Sequence, residues 1–509
     1  MALSIDTDHV RIAIVGSGFA GLGAAIRLKQ QGIDFAILER AHDVGGTWRD
    51  NSYPGSQCDV PSHLYSFSFA PNPAWSRTYS LQPEIFAYLR ATAETTGVLP
   101  HIRFGHEVRD ACWDEAAQVW LIDTGAGPLT SDIVIFGGGA LSEPFIPDLP
   151  GLDRFEGRVF HSARWDHDHD LTGRKVAVVG TGASAIQFVP EIQPEVEHLS
   201  VFQRTAPWVL PHPDRKVTGF EKALYARVPL AQRLVRAAIY WSRELLVIGL
   251  ARRPKWLKLG EWLGRALLAK QVHDPDLRAS LTPHFSPGCK RLLLSNDWFP
   301  ALQQPNVDYV TGAIREVRAG SIVTADGFEH ECDTIIFGTG FKVTNNPMAD
   351  LVRGTDGRTL HDTWEDTGIQ AYVGTTVPGF PNLFLMTGAN TWIGHTSLVV
   401  MIEAQLSYIL DCLRTMERRG IASVEVQQAP FRAWNDEVQT KMKRTVWSTG
   451  GCASWYIDAE GRNTTLWPDF TFNFTKRTKR FDGESYRLTP RRAAPVTVTA
   501  TPATAGPAR

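Results

Sequence analysis

The chain lacks any two cysteines spaced closely enough to act together as a C-x-x-C pair. This absence excludes reductases that operate through a redox-active cysteine pair. Isolated cysteines are typical of reduced thiols, so we expect free thiols throughout and a cytoplasmic protein. The cysteines stand at Cys58, Cys112, Cys289, Cys332, Cys412 and Cys452.

The chain also lacks a strong net charge and a long uncharged apolar run. Its 52 Lys and Arg residues are balanced by 54 Asp and Glu residues, which argues against a nucleic-acid-binding protein. The most apolar stretch, 234–250, is interrupted by Arg236, Arg243 and Glu244. A membrane-spanning helix needs about 20 mostly apolar residues, so no transmembrane segment is expected. The N-terminus has no basic region followed by an apolar one, so no secretory signal is expected either.

The segment 252–258 combines basic residues with a tryptophan, and two interpretations of it are open. It can lie against a membrane surface, as basic and aromatic segments do. It can instead be a solvated helix face that covers the active site, and the sequence favours this second interpretation.

What the chain does contain is a strand–helix–strand pattern that occurs twice. Its 509 residues are enough for two or three domains. Apolar runs at 12–15 and 35–38 flank an Ala- and Leu-rich segment, and runs at 176–179 and 199–202 flank a second helical segment. Each such unit builds a nucleotide crevice at the carboxyl ends of its strands. The predicted fold class is therefore α/β, with two Rossmann-like dinucleotide-binding domains.

The rest of the chain completes these two units and adds to them. Similar strands at 132–136 and 334–337 each run into a glycine turn and close the two units in turn. Between them, 216–322 is predicted to be mainly helical, with strands only toward its end, and we interpret it as an insertion. After residue 350 the chain is expected to return to the first domain. The Pro-, Ala- and Thr-rich tail 489–509 is expected to be disordered.

The first unit carries a glycine fingerprint between its strand and its helix. Gly16, Gly18 and Gly21 permit a tight turn and a close approach to a pyrophosphate at the helix N-terminus. Glu39 ends the second strand, where a carboxylate accepts hydrogen bonds from ribose hydroxyls and repels a 2′-phosphate. The pattern favours FAD or NAD. The predicted contacts are Gly16, Gly18, Phe19, Gly21, Glu39 and Arg40.

The second unit carries the G-x-G-x-x-A variant of this fingerprint. Its second strand is followed by Arg204 rather than by an acidic residue. A guanidinium at this place can pair with a 2′-phosphate, although a surface salt bridge is the alternative for this arginine. The unit therefore favours NADPH. The predicted contacts are Gly180, Thr181, Gly182, Ser184, Gln187, Arg204 and Thr205.

A third segment, 45–59, resembles the G-G-x-W-x4-[YF]-P-G-x3-D signature of flavin monooxygenases of the Baeyer–Villiger kind. Its glycines let the backbone approach a flat ligand, and Trp48 can stack on that ligand. Without this resemblance, Trp48 is equally well interpreted as a core aromatic residue and Asp59 as a turn residue. The contacts that the resemblance implies are Gly46, Thr47, Trp48, Tyr53, Asp59 and Tyr65.

A fourth segment, 155–166, matches the Baeyer–Villiger fingerprint F-x-G-x3-H-x3-W-[PD] at every fixed position. Related N- and S-oxygenating enzymes carry Tyr or Phe where Trp165 stands. We expect His161 and Trp165 to contribute to catalysis through the linker that precedes the second unit. His161 is interpreted as a residue that positions this linker, not as an acid or base.

The segment 286–291 resembles the family segment that contains the active-site arginine. By this match Arg291 is the catalytic residue, Lys290 is a second contact for the NADPH phosphate, and Asp59 orients Arg291. A guanidinium stays charged at neutral pH, so it can stabilise negative charge without donating its proton. The segment 390–396 and Trp455 also resemble family residues on the flavin side and on the NADP or substrate side.

The resemblance covers roughly residues 10–480 and implies an FAD-containing, NADPH-dependent monooxygenase. In this family a C4a-peroxyflavin attacks a ketone and gives an ester or lactone, with sulfide oxidation as a lesser activity. FAD, NADPH, O2 and a small hydrophobic ketone are the expected partners, and no metal site is expected. The predicted domains are 1–148 and 350–488 for FAD, 149–215 and 323–349 for NADPH, 216–322 as the insertion, and the tail 489–509.

Two other functions are left open by the sequence. A heteroatom-oxygenating flavin monooxygenase shares the cofactor motifs and differs mainly at Trp165 and Asp166. A non-catalytic nucleotide-binding redox sensor would need the two fingerprints but not Arg291 or Asp59.

Overall fold

The computed structural model describes residues 8–343, 347–365, 367–458 and 460–491. The elements of the first part of the chain alternate strands with short helices. They are β1 (Asp8–Val15), α1 (Phe19–Gln30), β2 (Ala36–Glu39), α2 (Thr47–Asp50), α3 (Gln82–Thr95), β3 (Ile102–Phe104), β4 (Val108–Asp114), β5 (Val119–Thr124), β6 (Gly127–Phe136), β7 (Arg158–His161), β8 (Lys175–Val179), α4 (Ala185–Ile192), β9 (His198–Phe202) and β10 (Val209–Leu210).

The middle of the chain is helical first and then returns to strands. Its elements are α5 (Gly219–Arg227), α6 (Pro229–Glu244), a π-helical turn (Ile248–Arg252), a 3₁₀ turn (Pro254–Leu257), α7 (Lys258–Gln271), α8 (Pro275–Ser280), β11 (Leu293–Leu294), α9 (Trp298–Ala301), β12 (Val307–Val310), β13 (Ile314–Arg318), β14 (Ser321–Thr324), β15 (Glu329–Glu331) and β16 (Thr334–Phe337).

The last part of the chain contains the longest helix. Its elements are β17 (Val352–Arg353), α10 (Leu360–Trp364), β18 (Leu383–Leu385), α11 (Leu398–Arg419), β19 (Ile421–Val426), α12 (Gln428–Met442), α13 (Val446–Thr449), α14 (Thr471–Arg477) and β20 (Tyr486–Pro490).

The first sheet has the order β17-β4-β5-β6-β1-β2-β3, and β18 also pairs with β6. Strands β1, β2, β3, β6 and β18 run parallel, as expected for strands that are buried on both faces. On one face of the sheet, α1 and α11 pack in one hydrophobic core with Ile12 and Ile14 of β1, and α1 contributes Leu22 to this core. After residue 350 the strands β17 and β18 both join this sheet, by pairing with β4 and β6.

The second sheet has the order β12-β9-β8-β16-β7, and all its strands run parallel. The predicted strands at 176–179, 199–202 and 334–337 are confirmed as β8, β9 and β16. Helix α4 covers one face, where Phe188 and Val189 are buried against the sheet. The α/β fold class with two Rossmann-like units is therefore confirmed.

Two boundaries differ from the sequence-based expectation. The expected insertion extended to residue 322, but β12 already pairs with β9 of the second sheet at Val307–Val310. This strand is short and carries Asp308, so its sequence does not show the uninterrupted apolar run of its neighbours. The tail was expected to be disordered from residue 489, but Thr489 and Pro490 pair with β19 as the end of β20. Residues 492–509 lie outside the described part of the chain.

No helix in the described residues is both long enough and apolar enough to cross a bilayer. The stretch 234–250, which the sequence marked as the most apolar, spans the end of α6 and the start of the π-helical turn.

The two glycine fingerprints lie at equivalent places, directly after β1 and after β8. Gly16 and Gly180 both have positive φ, at 88° and 111°, a conformation that other residues adopt only under strain. A Cβ atom on Gly21 would lie 1.8 Å from the carbonyl oxygen of Gly16. Helix α1 therefore approaches the turn more closely than any side chain would allow.

We expect Gly21→Ala to lower the free energy of unfolding by about 3 kcal/mol or more, because backbone on both sides of the contact would have to move. Thermal unfolding followed by circular dichroism measures this change. Gly260→Ala is the matched control, since Gly260 lies inside α7 and its Cβ would meet no atom within 4 Å. The control should gain about 0.5–1 kcal/mol. Equal stability of Gly21→Ala and the wild type would contradict the tight packing.

Candidate functional site

An ion pair between Arg291 and Asp59 forms the centre of the candidate site. Arg291 follows α8 in the chain and Asp59 lies between α2 and α3, so the two residues come from different parts of the fold. Nε and Nη2 of Arg291 donate to the two carboxylate oxygens of Asp59, each at 2.7 Å. Nη1 donates to the carbonyl oxygen of Ile393 at 3.0 Å. Three contacts therefore hold the plane of the guanidinium in one orientation.

The pair is charged at neutral pH. Burial alone would lower the pKa of Arg291, but the Asp59 carboxylate outweighs this effect and raises that pKa above its ordinary value. Burial would likewise raise the pKa of Asp59, but the charges of Arg291 and then Arg243 hold it below its usual range. The side chains of Arg291 and Asp59 are still 28% and 31% accessible, so a ligand can reach them.

Arg243 and Tyr456 lie near this ion pair. Neither of them was identified as functional from the sequence. Arg243, near the end of α6, donates to the hydroxyl of Tyr79 at 2.6 Å and adds a second positive charge near Asp59. Tyr456 is buried nearby, and burial raises the pKa of its hydroxyl to about 12. The sequence did show Arg243 as a charge inside an apolar stretch, which is the signal that could have identified it.

A disulfide lies beside the site and corrects the expectation of free thiols. Cys289 and Cys452 are bonded, although 163 residues separate them in sequence. The bond joins the segment that carries Arg291 to the loop that carries Trp455 and Tyr456. The other cysteines, Cys58, Cys112, Cys332 and Cys412, are free. Pairing between distant single cysteines depends on the fold, so their spacing could not predict it.

The segment 45–59 packs against the first glycine fingerprint. Nε1 of Trp48 donates to the hydroxyl of Tyr65 at 3.0 Å, and the Tyr65 ring packs at 5.1 Å from that of Phe19. Gly46 has positive φ, and a Cβ atom on it would lie 3.2 Å from Cα of Gly18. Backbone from the two glycine turns therefore meets closely here, with little room for a side chain at Gly46. Thr47 begins α2 directly after this contact.

Glu39 is buried and already has several partners within the chain. One carboxylate oxygen accepts from the backbone N–H and the hydroxyl of Ser17, and the other accepts from Ala41 N–H and from Arg49. Burial would raise its pKa, but these contacts lower it, so the carboxylate is ionised. Arg40 pairs instead with Glu143 at 2.7 Å. The sequence missed Arg49, whose charge balances that of Glu39.

The two nucleotide-binding units are joined by direct hydrogen bonds. Gln187, on α4, accepts from the hydroxyl of Tyr53 at 3.0 Å and from the N–H of Gln57 at 3.2 Å. Its own side-chain amide donates to the carbonyl oxygen of Gln57 at 3.0 Å. A Cβ atom on Gly55 would lie 2.7 Å from the carbonyl oxygen of Gln187. Tyr53 and Gln187 therefore connect the units, whichever cofactor contacts they also make.

The second unit places two cations close together at the end of β9. Arg204 and Thr205 are exposed beside the turn formed by Gly180, Thr181 and Gly182. Burial and then the charge of Arg204 lower the pKa of Lys290. Neither cation has a carboxylate partner among the described residues. Two neighbouring cations without a counter-charge fit a bound phosphate.

His161 and Trp165 do not join Arg291 and Asp59. The Trp165 ring packs against Phe188 of α4 at 5.3 Å, inside the second unit. His161 ends β7, and its Nδ1 accepts from the N–H of Ala163 at 3.0 Å. Burial lowers the pKa of His161 from 6.5 to about 4, so the ring is neutral near pH 7. These contacts hold His161 and Trp165 within the second unit.

Buried polar atoms near Ile393 lack partners in the described part of the chain. Both ring nitrogens of His395 and the hydroxyl of Thr396 form no hydrogen bond there. The ring of His395 lies 3.8 Å from the carboxylate of Glu244, which binds Thr471. Buried polar groups normally have partners, so these atoms fit the polar edge of a bound ring system such as a flavin. The sequence had marked 390–396 only by resemblance.

The comparisons with known proteins agree with one another. Residues 9–244 match the profile of a family described as flavin-binding monooxygenase-like. A Baeyer–Villiger monooxygenase of Streptomyces coelicolor is 52% identical over 94% of this chain and 93% of its own length. A Baeyer–Villiger monooxygenase of Pseudomonas aeruginosa is 48% identical over 94% of this chain and 92% of its own length.

A solved structure supports the same conclusion. The crystal structure of cyclohexanone monooxygenase from Rhodococcus sp. Phi1 bound to NADP+ superposes with a TM-score of 0.84 at 28% identity. The superposition covers 95% of this chain and 100% of that one.

We expect Arg204→Ala to raise the KM for NADPH about 10- to 100-fold and to change the KM for NADH little, because the 2′-phosphate would lose a charged partner. Steady-state NADPH oxidation measures this effect. Arg174→Ala is the matched control, since the exposed Arg174 precedes β8 at the opposite end of the strand from Gly180. An unchanged preference for NADPH in Arg204→Ala would contradict the assignment.

We expect stability to fall as the pH falls from 6.5 toward 4, because the unfolded chain then binds a proton that the buried His161 does not. His161→Gln should make this slope shallower, by up to about 3 kcal/mol over the interval. Urea unfolding at several pH values measures it. His42→Gln, at an exposed position, controls for the loss of an imidazole. If the free energy of unfolding of His161→Gln depends on pH as steeply as that of the wild type, the His161 ring is not buried as described.

Proposed function

Because the chain belongs to the Baeyer–Villiger monooxygenases, we propose that Arg291 and Asp59 form the catalytic centre of its oxidation of ketones to esters or lactones. The enzyme is an FAD- and NADPH-dependent monooxygenase. The observation that carries the proposal is the hydrogen bonding of Arg291. Three of its five N–H groups are used by Asp59 and Ile393, and the described residues leave one on Nη1 and one on Nη2 for a ligand.

The reaction needs a fixed positive charge at the point where oxygen enters the substrate. When bound, FAD that has been reduced by NADPH supplies this oxygen atom from O2. Negative charge then develops on the carbonyl oxygen of the ketone. The two remaining N–H donors of Arg291 can stabilise that charge, and its raised pKa keeps the proton on the guanidinium. A lysine would offer the charge without the fixed fork.

Asp59 acts on the reaction through Arg291. Its carboxylate fixes two N–H groups and compensates for the cost of burying the cation. Because its pKa is lowered, Asp59 keeps this role throughout the neutral pH range and loses it only in strong acid. It is therefore a positioning residue, and Arg291 is the catalytic one.

The two cofactors are assigned to separate residues. The glycine turns at 16–21 and 45–48, with Trp48, Tyr65, His395 and Thr396, are proposed to hold FAD. The turn at 180–184, with Arg204, Thr205 and Lys290, is proposed to hold NADPH, because its two cations fit the 2′-phosphate. The hydrogen bonds of Gln187 keep these two sets of residues next to each other.

His161 and Trp165 are proposed to position the linker between the units. Both pack within the second unit, so their contribution is to the approach of NADPH and not to the oxygen transfer itself. The division into domains predicted from the sequence is proposed with two changes: the insertion ends before β12, and β20 belongs to the ordered FAD domain. A cytoplasmic location is proposed because every turnover consumes NADPH.

We expect Arg291→Ala to retain bound flavin and its reduction by NADPH, but to lower ester formation at least about 100-fold, because the stabilising cation is removed. Arg291→Lys should recover only part of this loss. Gas chromatography of the products, measured together with NADPH consumption and hydrogen peroxide release, distinguishes oxygen transfer from uncoupled oxidation.

Asp59→Asn should show the same pattern with a smaller loss, since the guanidinium stays but is no longer held by two charged contacts. Lys175→Ala is the control, because its pair with Glu331 lies on the surface far along β8 from the glycine turn. Ester formation by Arg291→Ala at the wild-type rate would reject the assignment. Absence of flavin from the wild-type protein would reject the proposed function as a whole.

A further inference from the structure

Helix α6 presents apolar side chains to solvent as well as to the protein. Leu230, Leu234, Trp241 and Leu245 are each 55–64% exposed. At 100° per residue these four positions fall within about 60° of the helix circumference, so they form one stripe. Arg236 and Arg243 lie on the inner side of α6, where they bind the backbone near His63 and the hydroxyl of Tyr79. Within this stripe the Trp241 ring contacts that of Phe472 at 5.9 Å, and each of the four residues stays more than half exposed.

The chain that follows continues this apolar surface. Trp256, Leu259 and Trp262 are 61–66% exposed, on the 3₁₀ turn and on α7. The π-helical turn and the 3₁₀ turn pack on each other, because a Cβ atom on Gly249 would lie 2.9 Å from the Leu257 side chain. An exposed apolar surface of this extent is uncommon on a protein that remains monomeric in water.

Basic residues outnumber acidic ones around these apolar side chains, and Glu261, a partly exposed acidic residue on α7, is paired with Arg265 at 3.0 Å. Residues 226–260 contain eight Lys and Arg residues and one acidic residue, Glu244. Glu244 is buried and binds Thr471, so it does not reach the surface. Of the exposed basic residues within 226–260, only Arg252 has a carboxylate partner among the described residues. The unpaired ones are Arg227, Arg233, Arg253, Lys255 and Lys258.

We propose that this surface, named here the basic–apolar face and formed by α6, the two turns and α7 (229–271), binds the surface of an anionic phospholipid bilayer. Tryptophans favour the level of the lipid headgroups, leucines favour the region below it, and Lys and Arg pair with lipid phosphates. The helices would lie in the plane of the interface, since neither is long or apolar enough to cross it.

The positive charge of the basic–apolar face favours an anionic bilayer over two other possible partners, a second copy of the chain and the chain's own tail. In a two-fold dimer the same surface meets itself, which would bring the unpaired basic residues of both copies together without acidic partners. The chain's own tail does not complement the face either, because residues 492–509 contain two arginines and no acidic residue. An anionic lipid surface supplies both the apolar layer and the negative charge.

The position of the face relative to the catalytic centre gives it a use. Arg243, on the inner side of α6, contributes to the electrostatics of Asp59, while Trp241 on the same helix faces outward. One helix thus separates the lipid-binding surface from the catalytic ion pair. Apolar ketones concentrate in bilayers, so binding there would raise the substrate concentration beside the enzyme.

The test is sedimentation of the FAD-loaded protein with vesicles. We expect the wild type to bind vesicles that contain about 30% phosphatidylglycerol in phosphatidylcholine, to bind pure phosphatidylcholine at least about tenfold more weakly, and to lose binding in high salt. The triple variant Trp241→Ser, Trp256→Ser, Trp262→Ser and the double variant Lys255→Glu, Lys258→Glu should each lower the partition coefficient at least about tenfold.

Matched controls lie on other surfaces. Phe328→Ser removes an aromatic ring that is 70% exposed on the turn between β14 and β15, and Arg174→Glu with Arg315→Glu reverses two exposed charges of the second unit. Both should bind vesicles as the wild type does. Retained flavin absorbance and melting temperature show that each variant folds. If the tryptophan variant does not fold, vesicle binding by the variant Lys255→Glu, Lys258→Glu tests the proposal by itself.

Three results would overturn the proposal. The first is failure of the wild type to sediment with anionic vesicles. The second is equal binding by the wild type and by the folded variants of the face. The third is a wild-type dimer in light scattering without lipid that the tryptophan variant converts to a monomer, because the face would then be an interface between copies. Activity on a water-soluble ketone is expected to be unchanged in the variants, so this test is independent of the catalytic assignment.

Discussion

The structure of the site depends on keeping one guanidinium charged and fixed in a largely buried place. A buried cation is costly unless a carboxylate balances it at close range. Asp59 from the first unit does so for Arg291, which arrives from the far end of the helical insertion. The ion pair therefore forms only when the helical insertion packs against the first unit. The hydrogen bonds of Gln187 to Gln57 bring the second unit into the same arrangement.

Features encoded in short stretches of sequence were predictable. The strands of both units, the turns at Gly16 and Gly180 and the α/β class follow from apolar runs and from backbone conformations that only glycine adopts easily. The partnership of Arg291 and Asp59 was also predicted, but only through resemblance to a family. A Lys-Arg pair in a loop has no functional meaning by itself, and nothing local relates it to a carboxylate 232 residues away.

Features that depend on distant segments were not predictable. The bond between Cys289 and Cys452, the link from Tyr53 to Gln187 and the partners of Glu39 all require the fold to be known first. The last two residues of β20, Thr489 and Pro490, were assigned to the disordered tail, because their composition is ordinary for a linker and their order comes from pairing with β19. The outward stripe of α6 was hidden for a similar reason, since the inner side of this helix also carries apolar residues such as Ile239, and only burial separates the two sets.

The disulfide changes the connectivity of the molecule as well as its local shape. It closes a covalent ring that begins at Cys289, passes through the last strand of the second sheet and returns through α11 of the first unit to Cys452. A protease that cuts one peptide bond anywhere inside this ring does not release a fragment. The two polypeptides produced by the cut stay joined through the disulfide. They migrate separately in electrophoresis only after a reductant has broken the bond between Cys289 and Cys452.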